Sequence, residues 1–325
     1  MTTLLGETFA HIFFLDGVGL APAGSAENPF AMAIMPNLTG LLGEGWYLAG
    51  RDRVTTARAS LVPTDANLGV DGRPQSATGQ ATILTGRNVP RLVGEHYGPK
   101  PNPAVADIIR AGTLFHEVTA LGGQAALITP YPDRYFEAIE SGRRLLSSVP
   151  LAATSAGLPL MGPDELRAGR AVSPDFTGAG WRDHLGYDDV PILSLPDAGR
   201  RIAEISAAYS FSFFEHWPTD QAGHRGTVDE AVAHLEIIDT VIGGLLEAWD
   251  EARGLLILTS DHGNLEEKSH RQHTRNPVPT ILFGRDHDRH AATIHDLTDI
   301  AAVVRDCLGL PLPTYIENNG RPGTK

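Results

Sequence analysis

Residues 257–284, ILTSDHGNLEEKSHRQHTRNPVPTILFG, put an acid and an imidazole side by side at the end of an apolar run, with another imidazole ahead of a proline-bounded run. Asp261, His262 and His273 are residue types that ligate a divalent cation through carboxylate oxygen and imidazole nitrogen. A solvated histidine-rich loop is the plainer alternative, and neighbouring His270 is either a bystander or a group behind the ligands. TDQAGHRG (219–226) adds Asp220 and His224 four residues apart, so that both reach one ion from a helical turn or tight loop. That spacing is also common on protein surfaces. Asp16 ends the run HIFFL and is followed by Gly17, so it is either a carboxylate aimed off a strand end or the start of an Asp-Gly turn. Ser76, in PQSATGQATILTGR (74–87), stands just before a short apolar helical stretch. A hydroxyl there either caps the helix or serves as a nucleophile whose alkoxide is favoured by the helix's positive end and a nearby cation.

The elements that must position these side chains follow from the apolar pattern. Short runs closing on polar residues, HIFFLDG (11–17), AALITPY (125–131), YSFSFFEHW (209–217), GLLILTSDHG (254–263) and PTILFG (279–284), read as strands. Helical periodicity is clearest over 228–249 and is also present over 77–84, 104–121, 198–208 and 296–308, the last ended by Gly309 and Pro311. Strands alternating with helices predict an α/β fold, a mainly parallel central sheet sandwiched by helices, with functional groups at the strands' carboxyl ends. Between about 140 and 195 glycine, proline and serine interrupt every period. The expected organisation is therefore a core of residues 1–139 and 196–325 with a small inserted lid at 140–195, since some 55 residues make a poor independent core.

Composition narrows the function classes. At 325 residues with 42% hydrophobic and 20% charged side chains, the chain is long enough for a large globular core. The net charge of -13 is spread along the sequence without a basic run, which argues against nucleic acid as a partner. Cys307 is the single cysteine, so neither an intrachain disulfide nor a redox pair can form, as expected of a reducing compartment. No basic start with a long apolar stretch opens the chain, and the run from His11 to Leu15 is too short to cross a bilayer. A cytoplasmic protein without a membrane partner is expected. Only Lys100, Lys268 and Lys325 among the 26 basic residues are lysines, which is most simply a compositional bias.

Taken in order, the motifs are Asp-Gly-x-Gly, Ser-x-x-Gly with Thr-Gly following, Asp-x-x-x-His, Asp-His-Gly-Asn, and His-Thr-x-x-x-Val-Pro. This series resembles the metalloenzyme core of the alkaline phosphatase superfamily. SDHGN (260–264) and HTRNPVP (273–279) are most like its branch of cofactor-independent phosphoglycerate mutases and phosphopentomutases. The resemblance covers about 1–135 and 195–315. It implies two divalent cations, Mn2+ or Zn2+, one held by Asp220, His224 and His273 and the other by Asp16, Ser76, Asp261 and His262. It also implies Ser76 as nucleophile and a phosphoserine intermediate.

Two departures from the mutases bear on activity. Gln80 stands where they carry histidine, and the insertion is much smaller than their caps. A small lid retains an intermediate poorly against water, so hydrolysis of a small phosphate monoester or diester is placed ahead of a phosphomutase. A non-catalytic metal-binding relative is the third alternative. Arg87, Arg91, Lys100 and Asn264 are candidate substrate contacts because they lie near motif ends, although isolated surface arginines are usually only solvated.

Overall fold

The computed structural model describes residues 7–22 and 28–313. Its sheet is built from β1 (Phe9–Leu15), β2 (Val54–Thr55), β3 (Ala59–Thr64), β4 (Ala125–Leu127), β5 (Phe211–His216), β6 (Gly254–Thr259) and β7 (Val278–Gly284), in the order β2-β3-β7-β6-β1-β5-β4. Strands β4, β5, β1 and β6 pair in parallel, while β7 is antiparallel to both β6 and β3. Two antiparallel steps bring β3 back to the direction of β6. Five strands therefore run one way, and β2 and β7 run against them. The expected parallel sheet is present as its β4-β5-β1-β6 half; the β7-β3-β2 flank makes the whole sheet mixed.

β1 is central and buried along its whole length, which is why it reads as a continuous apolar run. Its alternation still sorts the two layers. Ala10, Ile12 and Phe14 join one hydrophobic cluster, and Phe9, Phe13 and Leu15 join the other. The first face is covered by the Ser76–Thr85, Pro103–Ala111, Leu114–Ala120, Ser148–Ser155 and Thr298–Leu308 helices. Helices Leu195–Ser206 and Val228–Ala248 cover the second and pack against each other through Gly199 and Gly244, where a methyl group would meet backbone at 1.9 and 2.0 Å.

Three local readings are refined. The single period expected over 104–121 is two helices, broken at Gly112 and Thr113, where Gly112 takes φ 155°. β2 and β3 carried no recognised signal: β2 has two residues, and Pro63 interrupts β3. Within 140–195 the Ser148–Ser155 helix packs into the core on the Ser76–Thr85 helix, with Val149, Ala152 and Ala153 buried. Farther along, Leu166, Trp181 and Val190 form a small cluster of their own.

The topology directs the chemistry to one edge. The carboxyl ends of β1, β5 and β6 lead directly to Asp16, to the Pro218–Arg225 helix carrying Asp220 and His224, and to Asp261 and His262. Because β7 is reversed, its start lies at the same edge, and His273 stands just before it. The end of β3 likewise delivers the loop leading to Ser76.

Candidate metal centre

Asp16, Ser76, Asp220, His224, Asp261, His262 and His273 converge. Asp16, Asp261 and His262 have ligand atoms within 4.8 Å of one another, and so do Asp220, His262 and His273. His224 Nε2 adds itself to the second group, 3.3 Å from Asp220 Oδ1 and 3.2 Å from His273 Nε2. His262 belongs to both: its Nε2 is 3.4 Å from Asp16 Oδ1 and 3.6 Å from Asp261 Oδ2, and its ring stacks on His273 at 3.7 Å.

The imidazoles are oriented from behind. Nδ1 of His224 faces the Arg271 carbonyl at 2.8 Å, Nδ1 of His273 faces the Pro74 carbonyl at 2.8 Å, and Nδ1 of His262 faces the Gly263 carbonyl at 3.4 Å. A carbonyl oxygen only accepts, so each Nδ1 carries a hydrogen, and the neutral form of each ring directs a bare Nε2 lone pair into the cluster. Burial holds His262 and His273 neutral, lowering both to about 4.

The carboxylates carry the complementary cost. Burial, then the charges of Asp261, Asp220 and Glu215, pushes Asp16 well above the usual range, and burial followed by Asp220 pushes Asp261 up to about 7. Asp16 Oδ1 is buried without a hydrogen-bond partner. Crowded acids, converging lone pairs and an orphaned oxygen fit a divalent cation, whose charge would reverse the penalty for each.

Ser76 is the first residue of its helix, with Gln75 as the cap, so its hydroxyl does not cap. It lies 3.0 Å from His262 Nε2, a lone pair to which the O–H donates. Gln80, one turn later, donates its amide to Asp16 Oδ2 at 3.3 Å and Asp261 Oδ2 at 3.2 Å. Gly79 makes that approach possible, since a methyl group there would lie 2.8 Å from Asp261 Cβ. Gly17, at φ 73°, likewise leaves room for Asp220.

Of the four anticipated substrate contacts, only Lys100 lines the cavity of about 680 Å3 that opens onto Asp16, Ser76 and Asp220. Arg87 follows the far end of the Ser76–Thr85 helix, carried away by ten helical residues or roughly 15 Å. Arg91 is exposed on the next helix. Asn264 is buried behind the site, donating to Asp220 Oδ1 at 2.7 Å. Its amide holds the Asp220 carboxylate, and it does not line that cavity. His270 is exposed.

The sequence reading missed Glu215 and Tyr131. Glu215 lines the cavity, is raised to about 7 by burial, and accepts the Tyr131 hydroxyl at 2.9 Å. The signal was available: a glutamate inside the otherwise apolar FSFFEHW has to find a polar purpose. Glu266 was also missed. It accepts the amides of Gly19 and Asn264 and hydroxyl and amide donors from Thr274 and Asn276, tying three of the site's loops together.

Comparison with known proteins bears on this geometry. A family model described as the metalloenzyme superfamily matches residues 196–312, the stretch holding Asp220, His224, Asp261, His262 and His273. Over that stretch the chain is similar to the metalloenzyme superfamily. Relatives of it include the 2,3-bisphosphoglycerate-independent phosphoglycerate mutases of Paracoccus denitrificans, 34% identical over 137 residues, and Thermomicrobium roseum, 33% identical over 140 residues. Each match covers 39% of this chain but only 26% and 27% of those enzymes, so the metalloenzyme segment spans about a quarter of their length. In fold the whole chain is alkaline phosphatase-like. The alkaline phosphatase of the Antarctic bacterium TAB5 aligns over 95% of this chain and 99% of its own at TM-score 0.52 and 10% identity. The PH0037 protein of Pyrococcus horikoshii aligns over the same shares at TM-score 0.53 and 15% identity. Asp16 and Ser76 lie outside the family match and join the metalloenzyme residues through the fold.

Proposed function

We propose that the chain is a two-metal phosphoryl-transfer enzyme that hydrolyses a small phosphate monoester or diester through a phosphoserine at Ser76. The observation that carries this reading is the approach of His224 and His273 Nε2 to 3.2 Å, with both Nδ1 hydrogens committed to carbonyls. Two lone pairs face each other at that distance because a cation belongs between them. Asp220, His224 and His273 would hold one divalent ion, and Asp16, Ser76, Asp261 and His262 the other, with His262 near both.

Mn2+ or Zn2+ at these positions supplies charge that favours an ionised hydroxyl and offsets charge developing on the phosphoryl oxygens. Ser76 Oγ attacks phosphorus, its proton having left to solvent, and the bond from phosphorus to the leaving oxygen breaks as that oxygen takes a proton from solvent and departs as an alcohol. Water then attacks the phosphoserine, restoring the serine hydroxyl and releasing inorganic phosphate from a monoester or a phosphate monoester from a diester. The start of a ten-residue helix at Ser76 adds backbone NH groups that favour negative charge there. Gln80 and Asn264 keep three of the carboxylates aimed inward. Segment 140–195 serves as lid over the cavity, supported by the positions of Arg144, Trp181 and Leu185 in its wall. No helix among the described residues is long and apolar enough to cross a membrane, and a cytoplasmic location is part of the proposal.

Phosphomutase chemistry is the second reading, favoured by the phosphoglycerate mutases among the relatives. Incubating Mn2+-loaded protein with an aryl phosphate and, separately, with sugar phosphates separates the two. Release of inorganic phosphate in proportion to substrate consumed is expected, and fast isomerisation without free phosphate would overturn hydrolysis. Equal residual turnover by the wild type and Ser76→Ala would instead favour a non-catalytic metal-binding protein.

A further inference from the structure

The cavity that opens onto Ser76 also carries a group of cations with no acid of their own. Lys100, Arg134 and Arg144 all line it, and among the described residues none has a carboxylate within 4.0 Å. In a chain of net charge -13, three cations without an ion-pair partner gather around one cavity. They are also held in place. Lys100 Nζ donates to the Leu145 carbonyl at 2.6 Å, leaving its other hydrogens to point elsewhere. The Arg144 guanidinium lies over the Tyr135 ring at 4.9 Å, and Tyr135 stacks in turn on Tyr131 at 4.4 Å. Stacking fixes the plane of the guanidinium while its edge NH groups stay available. Lys100 and Arg144 are close enough that the charge of Arg144 acts on Lys100. Held apart by nothing anionic, they form a pocket for an anion.

Distance and volume say what kind. Gly98 packs on the start of the nucleophile helix, where an added methyl group would stand 3.2 Å from the Ser76 nitrogen. Lys100 is two residues on, at most about 7 Å of chain away. Lys100 and Arg144 line the same cavity as Ser76, so a ligand at Ser76 that extends along it meets them. A cavity of about 680 Å3 is of the size that encloses molecules much larger than a three-carbon acid. Two or three cations match a phosphate, whose charge near neutrality is about -1.5 to -2, better than a single carboxylate.

Building on the phosphoryl-transfer reading, we propose that the substrate is a bisphosphate, one phosphate reacting at Ser76 while the second is held by Lys100 and Arg144 across a sugar-sized spacer. The second phosphate is not transferred; it fixes the register of the first.

The test compares kcat/KM of Mn2+-loaded protein for fructose 1,6-bisphosphate, fructose 6-phosphate and 3-phosphoglycerate, with calorimetric binding of the same compounds to Mn2+-loaded Ser76→Ala. The bisphosphate should exceed the monophosphate by about tenfold or more, mainly through KM, and should exceed the phosphorylated acid as well. In Lys100→Ala and Arg144→Ala that ratio should collapse toward one. A wild-type ratio near one, a preference for 3-phosphoglycerate, or a ratio unmoved in both variants would overturn the inference. Selective bisphosphate binding without turnover of any phosphate ester would sustain the second anchor and sink the hydrolase reading. Turnover without selectivity would do the reverse, and neither turnover nor selective binding sinks both.

Discussion

Ser76 sits where three influences on one hydroxyl coincide: a bare imidazole nitrogen at 3.0 Å, the open NH groups of a helix start, and the carboxylates that gather cations. Removing the oxygen removes the attacking atom and leaves the other ligands in place. Ser76→Ala is therefore expected to lower turnover by at least about a thousandfold while retaining most Mn2+ binding. Assay of phosphate release beside metal titration checks it, and comparable losses in both would mean that the serine is mainly a ligand. Asn264 acts one layer out. Its amide fixes Asp220 Oδ1 at 2.7 Å, so Asn264→Ala should weaken Mn2+ binding roughly 10- to 100-fold. Unchanged affinity would show that Asp220 needs no such support. At this scale the ligand types were legible because acids and imidazoles stand at the ends of apolar runs. Asn264 lies buried against Asp220, because sequence cannot say on which side of a neighbouring side chain a residue falls. Arg87 lies past the far end of the Ser76–Thr85 helix, because proximity to Ser76 in sequence is undone by a helix leading away from it.

The strands and the longer helices were readable from periodicity, since β1, β5 and β6 are buried along their length and mostly apolar. β3 escaped because its pairing is decided by β7, a partner more than two hundred residues away, and β2 because it has two residues and pairs only with β3. Close approach between elements was equally invisible, and Gly79 illustrates what depends on it. The Ser76–Thr85 helix crosses the loop after β6 so tightly that a Cβ at Gly79 would be 2.8 Å from Asp261 Cβ and 3.0 Å from its carbonyl oxygen. Alanine gains about 1 kcal/mol of helix propensity over glycine, but backbone that must move costs about 1–3 kcal/mol. Gly79→Ala should accordingly lower the unfolding temperature slightly and reduce Mn2+ affinity at least about tenfold, because Asp261 is displaced. Thermal unfolding and metal titration measure the two effects. Full affinity with raised stability would show that the helix and loop have slack.

For the whole molecule, the site couples folding to protons and metal, because its groups come from β1, from beyond β5 and β6, and from the approach to β7. Burial leaves Asp261 and Glu215 at about 7 and Asp16 above its usual range, whereas unfolded carboxyls titrate near 4. Their folded forms bind the extra protons, so the stability they contribute is full at low pH and is lost as pH rises through about 7. His262 and His273 act oppositely: lowered from 6.5 to about 4, they contribute stability that grows with pH across that window and is complete above it. Below about pH 6.5 the two sets oppose each other, and above it the histidine gain fades as the unfolded imidazoles lose their last protons, so the carboxylate loss prevails. The metal-free protein should thus lose unfolding temperature between about pH 6.5 and 8. Bound cations invert the trend, since ionised carboxylates and neutral imidazoles are the ligating forms and protons compete less as pH rises. At a thousandfold excess over Kd, binding contributes about 4 kcal/mol, on the order of 10 °C for a chain of this size. Calorimetry of chelator-treated and Mn2+-supplemented protein at both pH values decides it. A metal-free unfolding temperature that climbs over this interval, or a metal-induced shift that shrinks, would mean that these acids do not share one buried charge problem.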